Sequence, residues 1–198
     1  MTVTIAKAEK RKSFTAVTVI MTSQSGFETR ELHLPHKEWE KLCLEPPCET
    51  DTETLEHIYK CEEYFLCYEK ALSILAYGDN SAASLKRKLK LKRFSDGAIV
   101  YVVDLLKKKG YINDAKLLNE KVLFFANEKL HGRRRIISEL LAKGFLRHDI
   151  DAALERCEAL ISFEENKYKL IEKRFGRTKD FTPEEIVKIK RFLYTNGY

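Results

Sequence analysis

The residues of this chain able to hold a metal or serve as base or nucleophile are five histidines, His33, His36, His57, His131 and His148, and five cysteines, Cys43, Cys48, Cys61, Cys67 and Cys157. Their spacing builds no catalytic set. The histidines are scattered; His33 and His36 have acidic neighbours that could complete a metal site, but a pair on a surface loop is the stronger reading. The first four cysteines fall as C-x4-C ("CLEPPC") and C-x5-C ("CEEYFLC"). Structural zinc usually takes closer pairs, and the second spacing turns Cys61 and Cys67 apart on a helix. An odd number of cysteines without a dense framework reads as reduced, buried, inert thiols. The carboxylate pairs Glu62-Glu63 and Glu164-Glu165 are expected on charged helix faces, with solvation as their explanation. No phosphate-binding loop, dinucleotide fingerprint, zinc-protease motif or nucleophile elbow occurs, and most of the 8 glycines stand at helix ends. The expectation is a protein that is not an enzyme and carries no metal and no cofactor.

Charge is the remaining chemistry. The net charge is +6, and it is unevenly placed. Glu31 to Asn80 holds twelve acids against four bases, whereas Ser81 to Arg147 holds seventeen bases against six acids. Segregation of this kind suits a polyanion or an acidic protein surface, with a solvated helix face as the plain alternative. The candidate contact residues are Lys86, Arg87, Lys90 and Arg93, then Arg133, Arg134, Arg135 and Lys143, then Lys188, Lys190 and Arg191. Three arginines at the start of a helix oppose its dipole, a local cost that points to a use. Few aromatics interleave with these bases, so phosphate contact or an acidic groove fits better than base stacking.

These cations need elements to carry them. "FTAVTVIMTSQSGFETRELHLP" reads as a β-hairpin with a short glycine-containing loop, which must pack on something or pair with another strand to be stable. Pro46-Pro47 then forbids helix continuity and marks a linker or a tight corner. From about Thr52 onward the pattern is helical: Thr50 and Glu53 fit a capping box for an acidic helix ending at Gly78, Ser81 and Ser95 can cap the next two, and Gly110 ends the third. Thr182, Pro183 and Glu185 supply the N-cap, first-turn proline and return partner of a last helix.

The helices repeat. Phe94, Phe145 and Tyr198 are separated by 51 and 53 residues. Nine and five positions before them stand Leu85 and Leu89, Ile136 and Leu140, Ile189 and Leu193; five and nine after the first two stand Ile99 and Val103, Ile150 and Leu154. The preceding residue is Arg93, Gly144 or Gly197, the last two being the glycine expected at a helix C-cap. The expected fold is mainly α: tandem three-helix units in an elongated curved array, with a small N-terminal β-hairpin region. The expected divisions are a hairpin extension and linker over 1–50, units over 51–112 and 113–158, and a third over 159–198 lacking its last helix. No apolar run is long enough to span a membrane and the start lacks the core of a signal peptide, so the expected address is the cytoplasm.

The stretch "ALSILAYGDNSAASLKRKLKLKRFSDGAIVYVVDLLKKKGYINDAKLL", followed by "GRRRIISELLAKGFLRHDIDAAL", resembles the RecX regulatory proteins of bacteria. Its most telling pieces are Gly110, Tyr111 and Asp114 in "GYINDAKLL", and Gly132, Arg135, Ile136, Glu139, Leu140, Lys143 and Gly144 in the pattern that follows. The likeness runs from about Tyr68 to Tyr198, leaving the hairpin and acidic helix outside its strongest part. It implies a modulator of RecA: an all-helical protein lodged in the groove of the RecA filament on single-stranded DNA, mostly inhibiting recombinase and ATPase activity. The basic helices add direct contact to DNA phosphate as an option, and the expected state is a monomer. The other reading the residues support is a helical DNA-binding module that works without RecA, whose affinity would fall steeply with salt.

Overall fold

The computed structural model describes residues 2–177 and 180–198. The N-terminal β-branched segments form four strands, β1 (Thr2–Lys10), β2 (Thr15–Ser23), β3 (Gly26–Leu34) and β4 (Cys48–Thr50), in an antiparallel sheet of order β3-β2-β1-β4. The expected hairpin is β2 and β3, turning through Gln24 and Ser25, but it is not alone. β1 pairs along the whole of β2, with an irregularity between Ile5 and Lys7, and β4 pairs with β1 through Val3 and Thr50. The alternation in "TVTIAKAEK" is weak because charged residues follow Ile5 and the bulge shifts the register there. The sheet face carrying Val3, Ile5, Val17, Val19, Leu32 and Leu34 is buried against Leu55 and Ile58.

Leu55 and Ile58 belong to α2 (Thr52–Ala76), which follows the short helix α1 (His36–Lys41). The cap of α2 is Asp51, whose carboxylate accepts from the Thr54 amide at 2.6 Å. The expected Thr50–Glu53 box does not form, since Thr50 is the end of β4 and its backbone pairs with Val3. Ser81 accepts from the Ser84 amide at the start of α3 (Ala82–Leu91), and Ser95 accepts from the Ala98 amide at the start of α4 (Asp96–Lys108), both as expected. The Ser95 amide and hydroxyl also donate to Glu63 of α2 at 2.7 and 2.8 Å, which places a carboxylate at the positive end of α4.

The chain divides into two compact units. One runs to Gly78 and resumes over Leu85–Lys109; the other comprises Asp79–Ser84 and Gly110–Tyr198. The second unit contains α5 (Asp114–Leu123), which continues as a π-helical turn over Phe124–Glu128, then α6 (Arg133–Ala142), α7 (Arg147–Cys157), α8 (Phe163–Phe175) and α9 (Pro183–Thr195). Leu118, Val122, Ile136, Leu140, Ile150 and Leu154 form its core. The capping box of Thr182 and Glu185 is present in full, with Pro183 in the first turn.

The positions chosen by offset are core positions. Leu85, Leu89, Ile136, Leu140 and Ile150 are fully buried, and Ile99, Val103, Leu154 and Ile189 are buried, with Leu193 half-buried. Arg93, Gly144 and Gly197 share a left-handed backbone, with φ of 67°, 85° and 90°. Arg93 therefore adopts the conformation that glycine adopts in the other two places, which costs an L-residue about 1 kcal/mol.

Candidate functional site

The candidate cations lie on the solvent side of helices whose opposite face is core. On α3, Leu85 and Leu89 point inward, which leaves Arg87 and Lys90 exposed and Lys86 half-buried. Lys90 is paired with Asp96 at 2.6 Å, so part of its charge is answered within the chain. Arg93 follows at the exposed helix end. On α9, Ile189 is buried while Lys188, Lys190 and Arg191 are exposed around it.

The three arginines that open α6 separate into two groups. Arg135 donates to the Thr195 carbonyl at 3.3 Å and to the Asn196 side-chain oxygen at 2.9 Å, and it pairs with Glu139 at 3.9 Å. Arg134 donates to the Tyr198 carbonyl oxygen, and its guanidinium lies 4.6 Å from the centre of the Tyr194 ring. Both cations thus meet the carbonyl end of α9, where positive charge is favoured, which offsets their unfavourable position at the start of α6. Arg133 is exposed and faces a groove of 510 Å³ that also takes in Lys190 and the half-buried Lys167. The groove is also lined by Phe163, Tyr194 and Tyr198 and by Glu164, which pairs with Lys167 at 3.4 Å and so answers part of its positive charge. The Tyr198 hydroxyl donates to the Leu130 carbonyl at 3.1 Å, and burial, with Glu164 beside it, pushes its pKa up to about 12. It stays a neutral donor. Lys143 caps the far end of α6, about 15 Å along the axis from Arg133.

The remaining candidates are placed differently from expectation. His33 and His36 do not share a surface loop. His33 lies in β3, where its ring is 3.3 Å from Glu31 and packs on Phe14, and His36 opens α1 with Nδ1 2.9 Å from the Thr15 hydroxyl. Among the thiols, Cys67 and Cys157 are buried as expected, but Cys43 is exposed just past α1 and Cys48 and Cys61 are only half-buried, so these three are not core thiols. Burial and the nearby Glu63 push Cys67 up to about 11.

One cluster escaped the sequence reading. Glu38, His57 and Cys61 bring a carboxylate oxygen, an imidazole nitrogen and a sulfur within 4.8 Å of one another. The legible signal was His57 and Cys61 four apart on one helix face. Pairing Cys61 with Cys67 by sequence spacing hid it, and Glu38 arrives from α1 across an interval no local pattern spans. No helix among the described residues is long and apolar enough to cross a membrane.

No protein-family model matches the chain. It is 33% identical over 151 residues to regulatory protein RecX of Clostridioides difficile (strain 630), an alignment covering 76% of this chain and 70% of that protein. It is 38% identical over 117 residues to regulatory protein RecX of Caldanaerobacter subterraneus subsp. tengcongensis, covering 58% and 55%. Regulatory protein RecX of Cronobacter sakazakii is 29% identical over 145 residues, covering 68% and 86%. A crystal structure of regulatory protein RecX shares the fold with a TM-score of 0.76 over 99% of this chain and 94% of that one, at 21% identity. A crystal structure of RecX from Lactobacillus salivarius gives 0.61 over 69% and 88%, at 25% identity.

Proposed function

This chain belongs to the RecX family of regulatory proteins, and on that premise we propose that it binds the RecA filament on single-stranded DNA and restrains its recombinase and ATPase activities in DNA repair and recombination. The observation that carries the reading is the 33% identity to a regulatory protein RecX over 70% of that relative. The protein acts as a regulator and not as an enzyme, as a monomer in the cytoplasm.

The unit of recognition is a three-helix repeat: α2 to α4, α5 to α7, then α8 and α9. Two features support it. The residues at matching offsets are buried in each copy except for the half-buried Leu193 of the third, and Arg93, Gly144 and Gly197 share one backbone conformation. The basic helix of each unit faces the filament. Arg87 and Lys86 act in the first, Arg133 in the second, and Lys188, Lys190 and Arg191 in the third, with Lys143, Lys90 and Arg93 at their margins. Acidic RecA surface is the main partner and DNA phosphate an additional one. Occupying the groove hinders entry of duplex DNA and the ATP-linked turnover of the filament.

The test is binding to preassembled RecA filaments on single-stranded DNA, against the same DNA alone, with ATP hydrolysis followed in one titration. Binding to the filament with falling hydrolysis is expected. Equal affinity for bare DNA, steeply dependent on salt and with hydrolysis untouched, replaces this reading with that of a DNA-binding module independent of RecA.

A further inference from the structure

We propose that Glu38, His57 and Cys61 form a binding site for a divalent cation of the zinc class. His57 and Cys61 are four residues apart on α2 and so project from one face. Their ligand atoms, Nε2 and Sγ, are 3.5 Å apart. A tetrahedral zinc ion with bonds of ~2.3 Å to sulfur and ~2.05 Å to nitrogen separates the two by about 3.6 Å, so both can reach one ion without moving the helix. The Glu38 carboxylate from α1 completes a triangle in which all three ligand atoms lie within 4.8 Å of one another.

The ligand types select the metal. Magnesium and calcium take oxygen ligands, whereas a set of one sulfur, one nitrogen and one oxygen suits zinc and its neighbours. The Cys61 thiol gives its proton to solvent as the metal–sulfur bond forms, and that thiolate with the Glu38 carboxylate balances the double charge of the ion. Three protein ligands leave a fourth position for water or an outside ligand. Lys41 holds Glu38 at 2.7 Å through Oε1, which orients the carboxylate and leaves it a second oxygen. His57 is exposed, giving the ion a way in from solvent, while Cys61 is half-buried beside the sheet core.

The site also has a structural consequence. α1 has 6 residues, too few to be stable as an isolated helix. Packing of Trp39 and Leu42 on the sheet core is what holds it, and a metal shared between α1 and α2 adds a second tie.

The experiment uses the full chain, reduced and stripped of metal with a chelator, then titrated with Co²⁺ as a spectroscopic probe and with Zn²⁺ against a chromophoric chelator. Uptake of one Co²⁺ per chain is expected, with the charge-transfer absorption of a cobalt–thiolate bond that Zn²⁺ abolishes on displacing it. Cys61→Ser should lose that absorption, and Cys43→Ser and Cys48→Ser should keep it. His57→Ala, at an exposed position that leaves the packing intact, should bind Zn²⁺ at least about tenfold more weakly, because even outer-sphere partners of a metal site are worth ~10–100-fold. Circular dichroism of each variant checks that the helices are retained. Absence of stoichiometric uptake by the wild-type chain overturns the proposal and leaves a thiol–imidazole hydrogen bond. So does a cobalt–thiolate absorption that survives in Cys61→Ser, or Zn²⁺ affinity unchanged in a folded His57→Ala.

Discussion

Gly132 and Gly197 meet backbone to backbone, with no room for a side chain on either. The Gly132 amide donates to the Asn196 carbonyl at 2.7 Å and the Arg134 amide donates to the Gly197 carbonyl at 3.3 Å. A Cβ on Gly132 would overlap the Gly197 carbonyl and stand 2.7 Å from the Tyr198 nitrogen. The amide end of α6 is thereby closed by the carbonyl end of α9, each satisfying groups that a helix terminus leaves open.

Substituting either glycine should therefore be severe. Gly197→Ala combines a left-handed backbone with a clash against Arg135, and a cost of at least about 2 kcal/mol is expected. Gly132→Ala suffers the clash alone, since its φ of −73° suits any residue. Gly97→Ala is the contrast: it lies inside α4 with nothing within 4 Å of the added carbon, and should be neutral or stabilise by up to ~1 kcal/mol. Chemical denaturation midpoints of the three variants distinguish these cases.

The arginines of α6 should separate experimentally as they do structurally. Arg134→Ala and Arg135→Ala each remove a cation from the carbonyl end of α9 and should cost about 1 kcal/mol of stability. Arg133→Glu alters an exposed side chain and should leave stability within ~0.5 kcal/mol of wild type. If the basic groove meets the RecA filament, Arg133→Glu weakens filament binding while the denaturation midpoint holds. Unchanged filament affinity at low salt would remove Arg133 from the contact.

That division was not legible in the sequence, where the three arginines look alike. Their different roles depend on α9 folding back onto α6, through contacts between residues 60 to 64 apart in the chain. What could be read was whatever burial writes locally. The offsets around Phe94, Phe145 and Tyr198 found core residues because each helix repeats its inward face every three or four positions. The caps at Ser81, Ser95 and Thr182 were legible for the same local reason. β1 was missed because only Val3 and Ile5 of its nine residues are buried, leaving little alternation to see. Asp51 was passed over for Thr50 because both types cap helices, and only the pairing of Thr50 with β1 decides between them.

His131 should make stability depend on pH. Its ring stacks on Phe125, and its Nδ1 is buried without a hydrogen-bond partner among the described residues. Burial lowers its pKa, reinforced by Arg135 and Lys129 and only partly opposed by Glu139. Above the ordinary histidine value of about 6.5 both folded and unfolded chains are neutral here, and the contribution is fully present. As pH falls below that value the unfolded chain takes up a proton that the folded chain refuses, so stability declines until the depressed folded value is reached. His131→Phe keeps a ring on Phe125 and removes the titration. Denaturation midpoints of the wild type should fall more than those of the variant between about pH 7 and pH 5; parallel profiles would show that His131 is not the source.

The thiols should differ in reactivity in the order of their exposure. Cys43 is exposed, whereas Cys67 is fully buried on α2 with its pKa pushed up to about 11 by burial and by Glu63. Only the thiolate attacks an alkylating agent, and at pH 8 about one Cys67 side chain in a thousand is ionised. Access compounds this, because the reagent must wait for α2 to open away from its packing. Timed alkylation of the native chain, with peptide mass spectrometry of each cysteine, should show Cys43 modified at least about a hundredfold faster than Cys67. Denaturant should bring the two rates together. Comparable rates in the native chain would mean that α2 opens readily, and that the burial of Cys67 does not persist in solution.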